Sequence, residues 1–137
     1  MSTRCNVIIK DAYGCELTFY RHSDGYPSGV APTLTELLTL VKTDRLRDNV
    51  EQCAGWLIVL GHEEYAEYNS LTKMRANRNG TGIDGWKVGA YEPSCGIHSD
   101  IEYLYEIDLA AKTLRGWEHD GDNKGNEVTS ELHIEAA

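Results

Sequence analysis

The chain lacks a long apolar run and an obvious targeting segment. Its longest uninterrupted apolar stretch, residues 56–60, is far shorter than the ~20 residues that a membrane-spanning helix needs. Its first six residues do not show the charged segment and apolar stretch of a secretion signal. We therefore expect a cytoplasmic protein that has no membrane partner.

Basic residues are also scarce. Lys and Arg total 13 against 22 Asp and Glu, which gives a formal net charge of −9 and a pI near 4.9. Because such a chain repels phosphate backbones on average, non-specific binding to duplex nucleic acid is disfavoured. A cationic partner or a locally basic pocket remains compatible with this charge.

The sequence has none of the glycine-rich phosphate or dinucleotide loops, the serine-hydrolase elbow or the H-E-x-x-H zinc motif. It has only four cysteines, which are expected to be free thiols in a reducing cytosol. Cys95 and His98 have the spacing of half a zinc site, but no second half completes it. We therefore assign no catalytic residue, no metal and no cofactor.

What is present is the composition of an ordinary globular domain, with 41% apolar and 26% charged residues. Period-two alternation predicts an N-terminal hairpin, and it also predicts later strands at 86–91, 101–109 and 113–118. The expected fold is α+β, with an antiparallel sheet of about five strands and two helices packed on one face. One domain spans 1–137, with 119–137 as a loosely ordered tail in which 128–134 is an optional weak strand.

Both helices are predicted from apolar spacing and end signals. Thr33 and Glu36 form a capping box before a stripe of buried positions, which places the first helix at 33–43. Asp48 is the expected N-cap of the second helix, at 48–60, and Gly61 is its expected stop. Large apolar residues such as Trp56 widen its buried face, so it should be the more deeply buried helix. Residues 69–85 read as a long exposed loop that is locally basic.

Residues 20–27, Y-R-H-S-D-G-Y-P, concentrate polar and aromatic side chains after the first hairpin. One interpretation is recognition, because an arginine can grip phosphate or carboxylate while a tyrosine stacks on a ring. The other is a structural loop, with a turn at Asp24 and Gly25. We predict that these residues, the neighbouring Arg4 and one residue of a second His-Ser-Asp copy at 98–100 line one ligand-binding site: Arg4, Tyr20, Arg21, His22, Asp24, Tyr26 and His98.

The two His-Ser-Asp copies also allow a second hypothesis. Together they would supply imidazole and carboxylate ligands from His22, Asp24, His98 and Asp100, which suits a small metal-dependent phosphodiesterase or nuclease. A third hypothesis is an acidic structural or interaction module.

The segments T-R-C-N-V-I at 3–8 and Y-R-H-S-D-G-Y-P at 20–27 resemble small, largely uncharacterised proteins of bacteriophages and prophages. The resemblance covers residues 3–40, with looser similarity at 85–91 and 97–103. It implies an origin on a mobile element and brings no assigned activity. We therefore expect a non-enzymatic binding protein that counteracts host defence by binding a host protein or a small anionic, nucleotide-like ligand. Homo-oligomerisation stays open.

Overall fold

The protein is described by a computed structural model that covers residues 2–64, 89–121 and 123–132. Within these residues, six strands form one mixed sheet, and three helices pack on one of its faces. The strands are β1 (Cys5–Lys10), β2 (Glu16–Arg21), β3 (Glu92–Ser94), β4 (Tyr103–Asp108), β5 (Thr113–Asp120) and β6 (Asn123–Glu127). The helices are α1 (Pro27–Lys42), α2 (Val50–Glu64) and α3 (Thr129–Leu132).

The sheet has the order β3-β2-β1-β4-β5-β6 and is only partly antiparallel. β1 pairs antiparallel with β2 but parallel with β4, in a register that sets Cys5 opposite Tyr103. The expected α+β class with helices on one face is therefore confirmed. The purely antiparallel sheet of about five strands and the count of two helices are wrong.

The parallel pair arises because the chain crosses over two strands between β3 and β4. β3 pairs with the outer side of β2, so residues 95–102 must pass β2 and β1 before β4 begins beside β1. Since the helices occupy the opposite face, this crossover lies on the face that they leave open. It brings residues 97–101 over β1 and β2.

The main core lies between the sheet and the helices. Alternate residues of β1, such as Val7 and Ile9, face it and are fully buried. Leucines of both long helices face the same core, with Leu37 at 0%, Leu38 at 5% and Leu57 at 0% exposed. A smaller apolar cluster on the open face is formed by Ile8, Ile101, Leu104 and the partly buried Tyr20.

Helix α1 begins six residues before the predicted capping box. Pro27 occupies its first turn, where the missing N–H has no helical partner to lose. Pro32 lies inside the helix, and its ring is exposed to solvent. The buried stripe extends back through Val30 and Ala31, so tertiary packing outweighs the break expected at Pro32. Thr33 is therefore no N-cap.

Helix α2 also differs from its prediction at both ends. Asn49, not Asp48, caps it, since its side-chain oxygen accepts a hydrogen bond from the Gln52 amide at 2.9 Å. The helix continues past Gly61, where a Cβ would lie 3.0 Å from the ring of Tyr91. Gly61 thus permits a close approach, and its carbonyl accepts a bond from the Ala90 amide.

Burial of α2 was also predicted wrongly. Trp56 is 41% and Val59 is 44% exposed, and α2 buries five residues where α1 buries eight. The two large apolar side chains therefore do not widen the buried face. α1 is the helix with more buried positions.

At the C-terminal end, the optional strand at 128–134 is wrong where the structure describes it, since Thr129–Leu132 is helical and Leu132 joins the core. The third predicted strand, 86–91, lies partly outside the described residues, and 89–91 precede β3 instead of forming a strand. The predicted loop at 69–85 lies wholly outside them. No helix within the described ranges has the length and apolar character required to cross a bilayer.

Candidate functional site

The open face of the sheet carries a group of polar and aromatic side chains at the end where β1 begins and β2 ends. Tyr20 is its centre. The His98 ring stacks on the Tyr20 ring, with centroids 4.2 Å apart and planes 13° from parallel. Nδ1 of His22 is hydrogen-bonded to the Tyr20 hydroxyl at 2.9 Å. The histidines of the two His-Ser-Asp copies are thus brought together around one tyrosine.

Arg4 and Asp100 complete the group on its charged side. Nε of Arg4 lies 3.6 Å from a carboxylate oxygen of Asp100, and another Asp100 oxygen lies 3.9 Å from Nδ1 of His98. The side chains of Arg4 and Asp100 remain accessible, at 35% and 60% exposure respectively. We call Arg4, Tyr20, His22, His98 and Asp100 the Tyr20 patch.

The phenol of Tyr20 keeps its proton at neutral pH. Partial burial raises its pKa above the usual value of 10.0, and the Asp100 carboxylate raises it further. The charge and hydrogen bond of Arg4 act in the opposite direction and are outweighed. The hydroxyl is therefore neutral in its hydrogen bond with Nδ1 of His22.

Asn6 fixes the crossover segment in place over this face. It is fully buried, and its amide nitrogen donates to the Phe19 carbonyl of β2 at 2.8 Å. Its side-chain oxygen accepts a hydrogen bond from the His98 backbone amide, also at 2.8 Å. One buried side chain thus holds the strand that carries Tyr20 and the segment that carries His98.

Arg21 does not lie in the Tyr20 patch. It points to the helix-covered face and is 1% exposed. Its guanidinium donates two hydrogen bonds to the Glu64 carboxylate, at 2.9 and 2.6 Å, and lies 5.0 Å from the centroid of the Tyr91 ring. The Thr33 hydroxyl donates to the same carboxylate at 3.0 Å. Arg21 therefore connects β2 to α2 inside the protein.

Asp24 and Tyr26 form the turn that starts α1. Asp24 has a left-handed backbone with φ of 58°, and a Cβ on Gly29 would lie 2.1 Å from its carbonyl oxygen. The Tyr26 carbonyl accepts a hydrogen bond from the Val30 amide at the start of the helix. Neither side chain contacts the Tyr20 patch in the part of the chain that the structure describes.

The seven residues that were predicted to form one site therefore do not all lie together. Four of them, Arg4, Tyr20, His22 and His98, lie together in the patch, whereas Arg21, Asp24 and Tyr26 have other positions. Sequence reasoning missed the role of Asn6, although it is a polar residue between the apolar Cys5 and Val7 of a buried strand. It also left Asp100 out of the site, although the repeated tripeptide pointed to it.

No group of three or more His, Cys, Asp or Glu side chains in the described ranges is placed to hold a metal ion. Cys95, three residues before His98, is exposed and unpaired, as Cys5, Cys15 and Cys53 are also unpaired.

Comparisons of this chain with models of protein families, with curated proteins and with solved structures found no significant match in any of the three.

Proposed function

We propose that the protein is a non-enzymatic binding protein of phage or prophage origin that holds a host protein through the Tyr20 patch. The observation that carries the proposal is the stack of His98 on Tyr20, flanked by the accessible side chains of His22 and Arg4. Tyrosine and arginine are among the residues that contribute most to protein–protein binding. The phage origin rests on the resemblance of residues 3–40.

A protein partner suits the patch better than a small anionic ligand does. The charge of Arg4 is balanced by Asp100, so the patch has no excess positive charge to attract a phosphate. Two cavities formed by described residues, one of about 580 Å³ between the β1–β2 turn and the start of α2 and one of about 420 Å³ beside the start of β4, are lined by none of the patch residues. Small ligands are usually held in concave sites, whereas proteins bind flatter surfaces.

The patch is also held rigidly before any partner arrives. Asn6 fixes the His98 backbone, and Ile101 anchors the same crossover in the apolar cluster with Ile8 and Leu104. Binding through a preorganised surface loses less conformational entropy than binding through a loose one. Ile97, 49% exposed beside His98, adds apolar area for contact.

The proposal is tested with tagged wild-type protein and two variants in a lysate of the bacterial host. His98→Ala removes half of the stack, and Tyr13→Ala is the matched control, since Tyr13 is 75% exposed at the opposite end of the β1–β2 hairpin. We expect wild type and Tyr13→Ala to retain the same host protein and His98→Ala to lose it. Equal retention by all three, with equal melting temperatures, would contradict the proposal.

Native mass spectrometry of the purified protein tests the small-ligand alternative. A nucleotide-like ligand that remains bound to wild type and is lost from His98→Ala would place the function with that alternative. A protein that carries no such mass, together with the expected lysate result, supports the host-protein proposal.

A further inference from the structure

Asn6 is a polar side chain in apolar surroundings. It lies on the open face of the sheet, where its cross-strand neighbours are Tyr20 on β2 and Leu104 on β4. Ile8 and Ile101 complete the apolar cluster on this face, and Asn6 itself is 0% exposed. An amide without hydrogen-bond partners would be costly to bury there. The partners of Asn6 must therefore account for its presence.

The two hydrogen bonds of Asn6 have opposite directions. Its amide nitrogen donates to the Phe19 carbonyl, and its side-chain oxygen accepts from the His98 backbone amide, each at 2.8 Å. Because a carbonyl can only accept and an amide N–H can only donate, the position requires a short side chain with one donor and one acceptor. An asparagine has both groups, whereas an aspartate lacks the donor and a leucine lacks both.

Few other contacts hold the backbone of the crossover to the sheet. Residues 95–100 are all exposed, and the turn at their start bonds to the end of β3. In the described chain, the next backbone bond runs from the Glu102 amide to the residue just before β1. Between these two points, Asn6 is the hydrogen-bonding partner of the His98 backbone.

The amide of Asn6 contributes more to geometry than to stability. The net stabilisation by a typical hydrogen bond is modest, and Asn6→Leu would extend the apolar cluster instead. No apolar side chain, however, can define where the His98 amide lies. We infer that Asn6 is a positioning residue of the Tyr20 patch: it fixes the His98 backbone so that the ring stacks on Tyr20, and it thereby sets the affinity of the patch. This inference rests on the proposed function and adds to it a buried residue that touches no partner.

The test on the free protein uses the NMR signals of the His98 ring, which the Tyr20 ring shifts upfield while the two are stacked. Asn6→Leu should remove this shift and leave the protein folded. Val7→Ala is the matched control, because Val7 is the fully buried neighbour that faces the helices, so its truncation lowers stability from the other side of β1. Asn6→Ser, whose hydroxyl is too short to reach both partners, is the second variant. A wild-type His98 shift in folded Asn6→Leu or Asn6→Ser, or an equal loss in Val7→Ala, would overturn the inference.

Retention of the host protein that wild type holds is the second measurement. We expect Asn6→Leu to bind that protein roughly tenfold more weakly, because the partner must then order the backbone of about one residue itself. Val7→Ala should bind it as wild type does at a temperature where both are folded. Equal binding by Asn6→Leu and wild type would count against the inference. The two proposals fail separately: a wild-type protein that retains no host protein refutes the proposed function, whereas the His98 shift still decides the role of Asn6.

Discussion

Arg21 is buried at the end of β2, unlike the loop that follows it. Its side chain is 1% exposed and is held by both oxygens of Glu64. We expect Arg21→Ala to lower the free energy of unfolding by about 3 kcal/mol, because it leaves a partly buried carboxylate without its charge partner. Urea denaturation followed by tryptophan fluorescence measures this loss.

The matched control for Arg21 is Arg115→Ala. Arg115 also donates two hydrogen bonds to one carboxylate, that of Glu127, but the side chains are 49% and 43% exposed. Exposed pairs of this kind contribute about 0–1 kcal/mol. If both variants lose the same stability, Arg21 is not the internal connection that its burial indicates.

The signal for the burial of Arg21 was present in the sequence. Period-two alternation places Phe19 and Arg21 on the same face of β2, and both are buried, whereas Leu17 of the same series is 42% exposed. The charge of Arg21 made it look like a surface ligand-binding residue. Its partner Glu64 is 43 residues away, and no local pattern in the sequence links the two.

Burial also determines how reactive we expect the cysteines to be. Burial raises the pKa of Cys5 to about 12 and that of Cys53 to about 11, so both carry almost no thiolate near neutral pH. Cys95 is exposed. We expect an aromatic disulfide reagent to modify Cys95 in the folded protein and to reach Cys5 and Cys53 only after unfolding. If the fast phase of thiol modification in Cys95→Ser has the same amplitude as in the wild-type protein, this expectation is wrong.

At the scale of elements, the turn between β1 and β2 supports the start of α2. The Asp11 carboxylate accepts hydrogen bonds from the backbone amides of Val50, Tyr13 and Cys15, and the Val50 bond does most to lower its pKa below 3.8. Because the pKa of Asp11 is lower in the folded protein than in the unfolded chain, its carboxylate stabilises the fold when the pH is above the unfolded-state pKa. This contribution disappears as the pH falls through the folded value.

Asp11→Asn should therefore lower the melting temperature at pH 7, and its difference from wild type should shrink below pH 3.8. Thermal unfolding at several pH values measures both effects. Asp48→Asn is the control, because it changes the same residue type beside α2 where no backbone amide of the described residues donates to it. An equal effect of the two variants at pH 7 would show that only net charge matters.

The elements themselves were predicted best where periodicity was long and local. β4 and β5 alternate clearly, and both are present close to their predicted ranges. End signals were weaker evidence, since Thr33 has a capping sequence yet uses its hydroxyl on Glu64. A polar residue of this kind can lie at the end of a helix or inside one. Tertiary contacts decide which of the two positions it takes.

At the scale of the whole molecule, the local hairpins of the described sheet are joined by non-local pairings, of which β1 with β4 is the central one. β1 with β2 and β4 with β5 are each sequence neighbours, which is why the sequence favoured an antiparallel sheet. The parallel contact between β1 and β4 spans residues about 98 apart, from Cys5 to Tyr103. No turn or period in the chain encodes this pairing. It is also the pairing that brings His98 to Tyr20.

If the pairing of β1 with β4 makes the sheet one cooperative unit, a destabilising substitution in β1 should also lower the hydrogen-exchange protection of β5. Ile9 is fully buried in β1, and Ile9→Val should cost about 1 kcal/mol through the lost methylene. We expect the slowest-exchanging amides of β4 and β5 to lose protection by the same amount as those of β1, since all three exchange through global unfolding. Hydrogen exchange followed by NMR measures this residue by residue. The edge strand β6, exposed at all five residues, exchanges through local opening and should change little. Protection lost in β1 and β2 but kept in β4 and β5 would instead show two hairpins that open independently.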